Sequence, residues 1–107
     1  MTVSQRILTF AAGAQQFPAP PTGVTVASIF AFPLRSNTHV SYVGISTVTN
    51  DASGTGVIKE IAQPPAATVG TDSFVKEDME GANTIDPTQF YAHGTTGEKL
   101  LVTYFQR

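Results

Sequence analysis

Apolar and polar residues alternate in short runs along most of the chain, and glycine or proline interrupts these runs at short intervals. Strands of this kind, separated by turn residues every roughly 8–12 positions, are typical of antiparallel β-proteins. No segment keeps the helical spacing of apolar residues over a dozen positions. The pattern therefore predicts an all-β fold, an antiparallel β-sandwich or small barrel of about eight short strands.

The predicted extended segments, in chain order, are 3–10, 14–17, 23–32, 39–44, 57–61, 71–79, 89–93 and 99–105. The first of them fits either a strand or an N-terminal arm. We expect one domain over residues 1–107, in which 1–16 form an extended N-terminal arm and 17–107 form the β-sandwich. The charged run 76–78 marks segment 71–79 as an edge strand. Gly94 and Gly97 suit a hairpin between the last two strands, because glycine accepts a positive φ.

Segment 23–32 is the strongest strand and is apolar on both faces. One predicted face carries Val24, Val26, Phe30 and Phe32, and the other carries Ala27, Ile29 and Ala31. A strand of this kind is expected to be buried on both sides, so the second face should meet another sheet or another subunit. On the last strand, Leu100, Val102 and Tyr104 share one face. The phenylalanines at 10, 17, 30, 32, 90 and 105 fit core or interface packing.

Only 13% of the 107 residues are charged, against roughly 25% in typical soluble domains. Such a neutral surface is expected if partner proteins cover much of it. It is equally expected if the surface is simply rich in Thr, Ser and Asn. The net charge of -2 offers no basic field for phosphates, so we expect no nucleic-acid partner. The longest apolar stretch, 24–34, is too short for a membrane helix, so we expect no membrane partner. Residues 1–6 do not match a signal peptide, and the absence of cysteine slightly favours assembly in a reducing cytoplasm.

No recognisable set of catalytic residues occurs in the sequence. The segment 44–48, Gly-Ile-Ser-Thr-Val, lacks the final glycine of a nucleophile elbow. His39 and His93 fall on separate strand ends, and catalysis would require a serine or carboxylate beside one of them. Glu77, Asp78 and Glu80 form one acidic cluster, which fits a solvated edge better than an acid–base pair. We therefore expect no enzymatic activity and no catalytic residue.

Metal and cofactor motifs are equally weak. Two histidines without a metal-ligand spacing make a poor zinc site. The loop 50–55 offers oxygen ligands from Asn50, Asp51, Ser53 and Thr55, but it lacks the bidentate glutamate of a calcium loop, and Asx turns explain the same residues. Gly54-Thr55-Gly56 lacks the third glycine and the helix of a phosphate loop. We expect no cofactor and no metal.

Several short strings occur in a distinctive order: Ala14-Gln15-Gln16-Phe17-Pro18 before Gly23-Val24, then Asn37-Thr38, Tyr42-Val43-Gly44, Val48-Thr49, Phe90-Tyr91-Ala92 and Gly94-Thr95-Thr96-Gly97. In this order, over about residues 14–104, the chain resembles small virion proteins of tailed bacteriophages. It departs from them mid-chain, where the longer region 63–87 replaces a compact Gly-x-x-Leu-x-x-Gly segment.

The resemblance implies a non-enzymatic capsid decoration or cement protein that stabilises the head by binding capsomers. It implies the major capsid protein as partner, self-association as a homo-oligomer (commonly a trimer), and a place on the virion exterior after assembly in the host cytoplasm. A loose arm over 2–16 would then add a strand to a neighbour. Two alternatives stay open: a tail, neck or head-fibre component that contacts the host, and a carbohydrate-binding module with an exposed strip of tyrosine at Tyr42, Tyr91 or Tyr104.

Overall fold

The computed structural model describes residues 2–23, 25–52, 54–64, 72–77 and 85–106. These residues form eight strands and one short 3-10 helix. The strands are β1 Thr2–Thr9, β2 Gln15–Gln16, β3 Val26–Pro33, β4 Ser41–Gly44, β5 Val57–Ile61, β6 Phe74–Glu77, β7 Tyr91–His93 and β8 Lys99–Gln106, and the 3-10 helix is Pro87–Gln89.

Two antiparallel four-stranded sheets pack face to face. Sheet I has the order β1-β8-β3-β6, and sheet II has the order β2-β7-β4-β5. Of the strands that follow each other in the chain, only β4 and β5 are hydrogen-bonded neighbours, and every other connection crosses from one sheet to the other. The predicted all-β sandwich is confirmed, and the barrel alternative is not the observed architecture.

The core lies between the inner faces of the two sheets. Leu100, Val102 and Tyr104 of β8 share one face, as predicted, and the structure shows that this face points into the core and is fully buried. Phe74 is not among the predicted packing residues and lies in the segment predicted as an edge strand. It is nevertheless buried, and its ring centroid lies 6.2 Å from that of Phe17 and 5.5 Å from that of Phe90. The edge position itself is confirmed, since β6 ends sheet I.

A β-bulge in β3 changes which of its residues share a face. Val26 lies opposite Gln106 and Ser28 lies opposite Phe105, so Ala27 is an extra residue in the ladder. Before the bulge Val26 points inward, and after it Ile29 and Ala31 do. The prediction that Val26 shares a face with Phe30 and Phe32 is therefore wrong, because one inserted residue reverses the alternation. Val24 lies outside the described residues.

The predicted hairpin between the last two strands is also wrong. β7 pairs with β2 and β4 in sheet II, whereas β8 pairs with β1 and β3 in sheet I. The loop between them therefore crosses the sandwich. Gly97 has the expected positive φ, of 90°. Gly94 is not in that region but lies directly against the ring of Phe10.

The N-terminal segment is extended, but in the structure it is paired within the chain rather than loose. All eight residues of β1 lie opposite residues of β8, and β2 pairs with β7. Leu8 and Phe10 are buried in the core. Of the two alternatives for residues 3–10, the structure has the strand, because its apolar residues complete the inner face of sheet I. Removal of residues 2–10 would therefore open the core.

Candidate interaction surface

Every second residue of the strands in sheet I points away from the core, and these residues form aligned rows across the sheet. Cross-strand partners share a face in an antiparallel sheet, so the register defines the rows. There are four rows. The first holds Val3, Phe105, Ser28 and Glu77; the second holds Gln5, Thr103, Phe30 and Val75; the third holds Ile7, Leu101 and Phe32; and the fourth holds Thr9 and Lys99.

Apolar side chains dominate these rows and are accessible. Val3 is 50% exposed, Ile7 is 57% exposed and Val75 is 45% exposed. The other apolar side chains of these rows are half-buried, partly because they contact one another. The rings of Phe30 and Phe105, for example, meet edge to face with 5.2 Å between centroids. We call this surface the apolar face and define it by Val3, Ile7, Phe30, Phe32, Val75, Leu101 and Phe105.

Charge is confined to the margin of the apolar face. Glu77 and Lys99 lie in its first and last rows, on different strands. The polar residues nearer the middle satisfy each other, since Gln5 Nε2 donates to Thr103 Oγ1 at 3.2 Å. An apolar centre with charge at the rim is the usual composition of a protein–protein contact. The sequence predicted a second apolar face on β3, and the structure extends that face across all four strands.

Sheet II lies on the other side of sheet I, so among the described strands no second sheet covers the apolar face. A contiguous exposed apolar patch on a small domain is therefore a candidate binding surface.

The outer face of sheet II does not offer the strip of exposed tyrosine that a sugar-binding module would use. Tyr42 is buried there, and burial, followed by the negative charges of Glu60 and Asp51, raises the pKa of its hydroxyl. Tyr104 lies in the core, and its hydroxyl donates to the Pro18 carbonyl at 2.5 Å. Tyr91 alone is partly accessible.

His39 lies beside a carboxylate and a hydroxyl, the partners that a catalytic histidine would need. Its Nδ1 is 3.0 Å from Thr38 Oγ1 and 3.2 Å from Glu98 Oε2. Both contacts involve the same ring nitrogen, whereas a catalytic triad places the carboxylate and the nucleophile on opposite nitrogens. Glu98 also accepts the backbone N–H groups of Thr38 and His39. The arrangement therefore anchors the loop before β4.

The pKa of Glu98 reflects this anchoring role. Burial by itself raises the pKa, but the hydrogen bonds from Thr38 and His39 outweigh it and hold the pKa below the ordinary value. The neighbouring Asn37 is buried and completes the attachment. Its Nδ2 donates to the Lys99 carbonyl at 2.6 Å and its Oδ1 accepts the Lys99 N–H at 3.1 Å. These two bonds tie the loop after β3 to the start of β8, where the Leu34 N–H also donates to the Lys99 carbonyl at 3.2 Å.

His93 lies far along the chain from this loop, in β7, opposite Tyr42. Its Nδ1 is buried and has no hydrogen-bond partner among the described residues. The structure does not place the two histidines in one hydrogen-bonded group. Neither joins a group of three His, Cys, Asp or Glu side chains suited to a metal ion within the described residues.

The remaining candidate motifs have local structural explanations or fall outside the description. In loop 50–55, Ser53 is outside the described residues, and Gly54 lies against the side chain of Thr49. Glu77 is exposed at the end of β6, and its predicted acidic neighbours Asp78 and Glu80 are also outside the described residues. Ser46 is exposed in the turn after β4.

Comparisons of the chain with models of protein families, with curated proteins and with solved structures find no match. In the part of the chain that the structure describes, no helix has the length and apolar character needed to cross a bilayer. The apolar face of sheet I is the feature that points most directly to a function.

Proposed function

We propose that this chain is a non-enzymatic structural protein of a tailed-phage virion, which binds the capsid exterior as a decoration or cement protein through its apolar face. The major capsid protein is the proposed partner. The observation that carries the proposal is the apolar face itself, which is uncharged between its first and last rows and whose Val3, Ile7 and Val75 are about half exposed. The order of the sequence strings that resemble virion proteins supports the viral setting.

The energy available from this face suits a repeated, multivalent contact. Complete burial of a Val, Ile or Phe side chain contributes about 1.5–3 kcal/mol, so covering a half-exposed side chain contributes about 1 kcal/mol. A handful of such side chains must also offset the entropy lost on association. A single copy would therefore bind modestly, and an oligomer that engages several capsomers at once gains avidity without new contacts. A capsid lattice offers such repeated sites.

A tail, neck or head-fibre component would use the same face against a different partner. Copy number separates these roles. Quantitative mass spectrometry of purified virions should find this protein at a number comparable with that of the major capsid protein. A number limited to one ring of subunits would instead indicate the neck or tail, and absence from the particle would overturn the virion assignment altogether.

Two substitutions on the apolar face test its role in binding. Ile7→Thr and Val75→Thr change exposed residues at opposite edges of sheet I, so each should alter the free energy of unfolding by less than about 0.5 kcal/mol. In co-sedimentation with capsids that lack this protein, each variant should show an affinity lower by roughly 5- to 10-fold, the equivalent of about 1–1.4 kcal/mol.

Ile58→Thr is the matched control. Ile58 is 56% exposed, close to the 57% of Ile7, but it lies on β5 of sheet II. It should leave capsid binding unchanged. Equal losses in all three variants, or no loss at Ile7 and Val75, would show that the apolar face is not the capsid-binding surface.

A further inference from the structure

β1 is a long edge strand, and its hydrogen-bonding groups divide regularly between two sides. At its end, the Phe10 N–H donates to the Glu98 carbonyl at 2.9 Å and the Gly97 N–H donates to the Phe10 carbonyl at 2.9 Å. Groups that point to the neighbouring strand alternate along an antiparallel strand. The even-numbered residues of β1 therefore bond to β8, and the N–H and C=O groups of Val3, Gln5, Ile7 and Thr9 point away from it.

A side-chain contact confirms this direction. The guanidinium of Arg6 donates to the Gln5 carbonyl at 3.0 Å, so that carbonyl points to the open side of the strand and keeps one further lone pair there. Among the described strands none pairs with this side of β1, because β1 ends sheet I.

The other three sheet edges carry features that hinder pairing with another chain. β6 has four residues and includes Lys76 and Glu77. β5 carries Lys59 and Glu60, together with a register shift opposite β4. β2 has two residues and is followed closely by Pro18. Short length, charge, irregularity and proline are the usual protections of an edge strand.

β1 has none of those protections apart from one charged residue. It has eight residues in uninterrupted register with β8, no proline, no lysine and a single charge, Arg6. Its outward side chains include Val3 and Ile7 of the apolar face. An unprotected edge of this length is a template for another strand.

We propose that β1 pairs antiparallel with β1 of a second copy of this chain, about a two-fold axis that passes beside Gln5. Edge pairing of two identical strands is self-complementary, as an isologous dimer requires. In this register the open N–H and C=O groups of Val3, Gln5 and Ile7 meet those of Ile7, Gln5 and Val3 in the second copy. The Gln5 carbonyl has a second lone pair, so Arg6 retains its bond.

Charge and packing select this register over the one with Arg6 on the axis. With Gln5 on the axis, Arg6 lies opposite Ser4 of the second copy, and Val3 lies opposite Ile7 on both sides of the axis. With Arg6 on the axis, two guanidinium groups would face each other at a non-hydrogen-bonded position, where side chains are closest. Like charges directly opposite each other are unfavourable.

The pairing would join two copies of sheet I into one eight-stranded sheet and two apolar faces into one continuous surface. It differs from the trimer implied by the sequence resemblance, because a two-fold contact closes with two copies. It also does not depend on the identity of the protein that the apolar face binds.

Gln5→Pro tests the pairing without removing a bond to β8. The Gln5 N–H points away from β8, so a proline there leaves the intrachain ladder intact but removes the N–H on the axis and adds bulk to the edge. Analytical ultracentrifugation at concentrations up to about 1 mM should show a dimer for the unaltered protein, a monomer for Gln5→Pro, and a dimer for the control Gln5→Thr.

Single cysteines test the register and do not depend on the proline variant folding. The chain has no cysteine of its own. Gln5→Cys places two thiols opposite each other, with Cα atoms about 5.5 Å apart, within disulfide range. Arg6→Cys places them diagonally, about 7–8 Å apart, beyond it. Oxidation should therefore link Gln5→Cys into a covalent dimer and leave Arg6→Cys mostly unlinked.

The proposal would be overturned by a monomer or trimer in the unaltered protein, by a folded Gln5→Pro variant that remains dimeric, or by cross-linking at Arg6→Cys and not at Gln5→Cys. Capsid binding by a monomeric Gln5→Pro variant would uphold the proposed function and the edge pairing together. A protein that dimerises as described but ignores capsids would uphold the pairing alone.

Discussion

Gly94 lies where the loop between β7 and β8 packs against Phe10, the residue that follows β1. A single added methyl group at Gly94 should therefore test this contact. Gly94 follows β7 and lies against the ring of Phe10, which is 2% exposed. A Cβ atom at Gly94 would lie 2.6 Å from Cδ2 and Cε2 of that ring and 2.9 Å from Cζ. Carbon atoms in contact stay about 3.5–4.0 Å apart, so the ring or the loop must move in Gly94→Ala.

The magnitude follows from two opposing effects. Overpacking of a closed core lowers stability by about 1–3 kcal/mol. Gly94 does not have a positive φ, so alanine is allowed there, and its smaller unfolded-state entropy restores about 0.4–1 kcal/mol. We therefore expect Gly94→Ala to lower the free energy of unfolding by about 0.5–2 kcal/mol, measured by urea denaturation.

A double-mutant cycle with Phe10→Leu identifies the cause. The smaller, flexible leucine makes room for the methyl group, so Gly94→Ala should cost less stability in the Phe10→Leu background than alone. Gly23→Ala is the control, because Gly23 has φ of 81° and no atom within 4 Å of its Cβ position. Its penalty comes from the backbone and should be the same in both backgrounds. Additive effects of Gly94→Ala and Phe10→Leu would refute the steric explanation.

Three further predictions concern the contacts that hold β8 and its neighbours. Asn37→Ala removes both hydrogen bonds to the Lys99 backbone and should lower the free energy of unfolding by about 2–3 kcal/mol in urea denaturation. Tyr104→Phe removes the bond to the Pro18 carbonyl and should lower it by about 1–2 kcal/mol in the same assay, with the sandwich retained by circular dichroism. The hydrogen bonds hold the pKa of Glu98 in the folded state below its ordinary value of 4.5, so the unfolded chain binds the proton more readily. The contribution of Glu98 to the free energy of unfolding is therefore present above pH 4.5 and is lost as the pH falls through the folded-state pKa. The difference in unfolding free energy between the unaltered protein and Glu98→Gln should therefore shrink as the pH is lowered from neutral to about 3.

Each of these predictions has a clear contrary result. An unchanged urea midpoint for Asn37→Ala or Tyr104→Phe would mean that water replaces the lost bonds without penalty. A pH-independent difference for Glu98→Gln would mean that the carboxylate is not preferentially stabilised in the folded state.

The sequence by itself determined where the strands lie and that the fold is all-β. Strand 57–61 was predicted with the bounds that the structure has, and the shared face of Leu100, Val102 and Tyr104 followed from simple alternation. Both are local properties, because side chains alternate along any extended backbone. The apolar character of both faces of β3 was also visible in the sequence.

Only the tertiary structure decided which strands pair, and hence what the apolar face is. The loop at Gly94 and Gly97 has hairpin chemistry, yet it joins two sheets, because β8 is held by β1 and β3 from the other end of the chain. The bulge at Ala27 reverses the alternation that the sequence pattern assumes. Val3 and Ile7 join the residues of β3 in one face through β8, a non-local pairing that no local pattern of residues encodes.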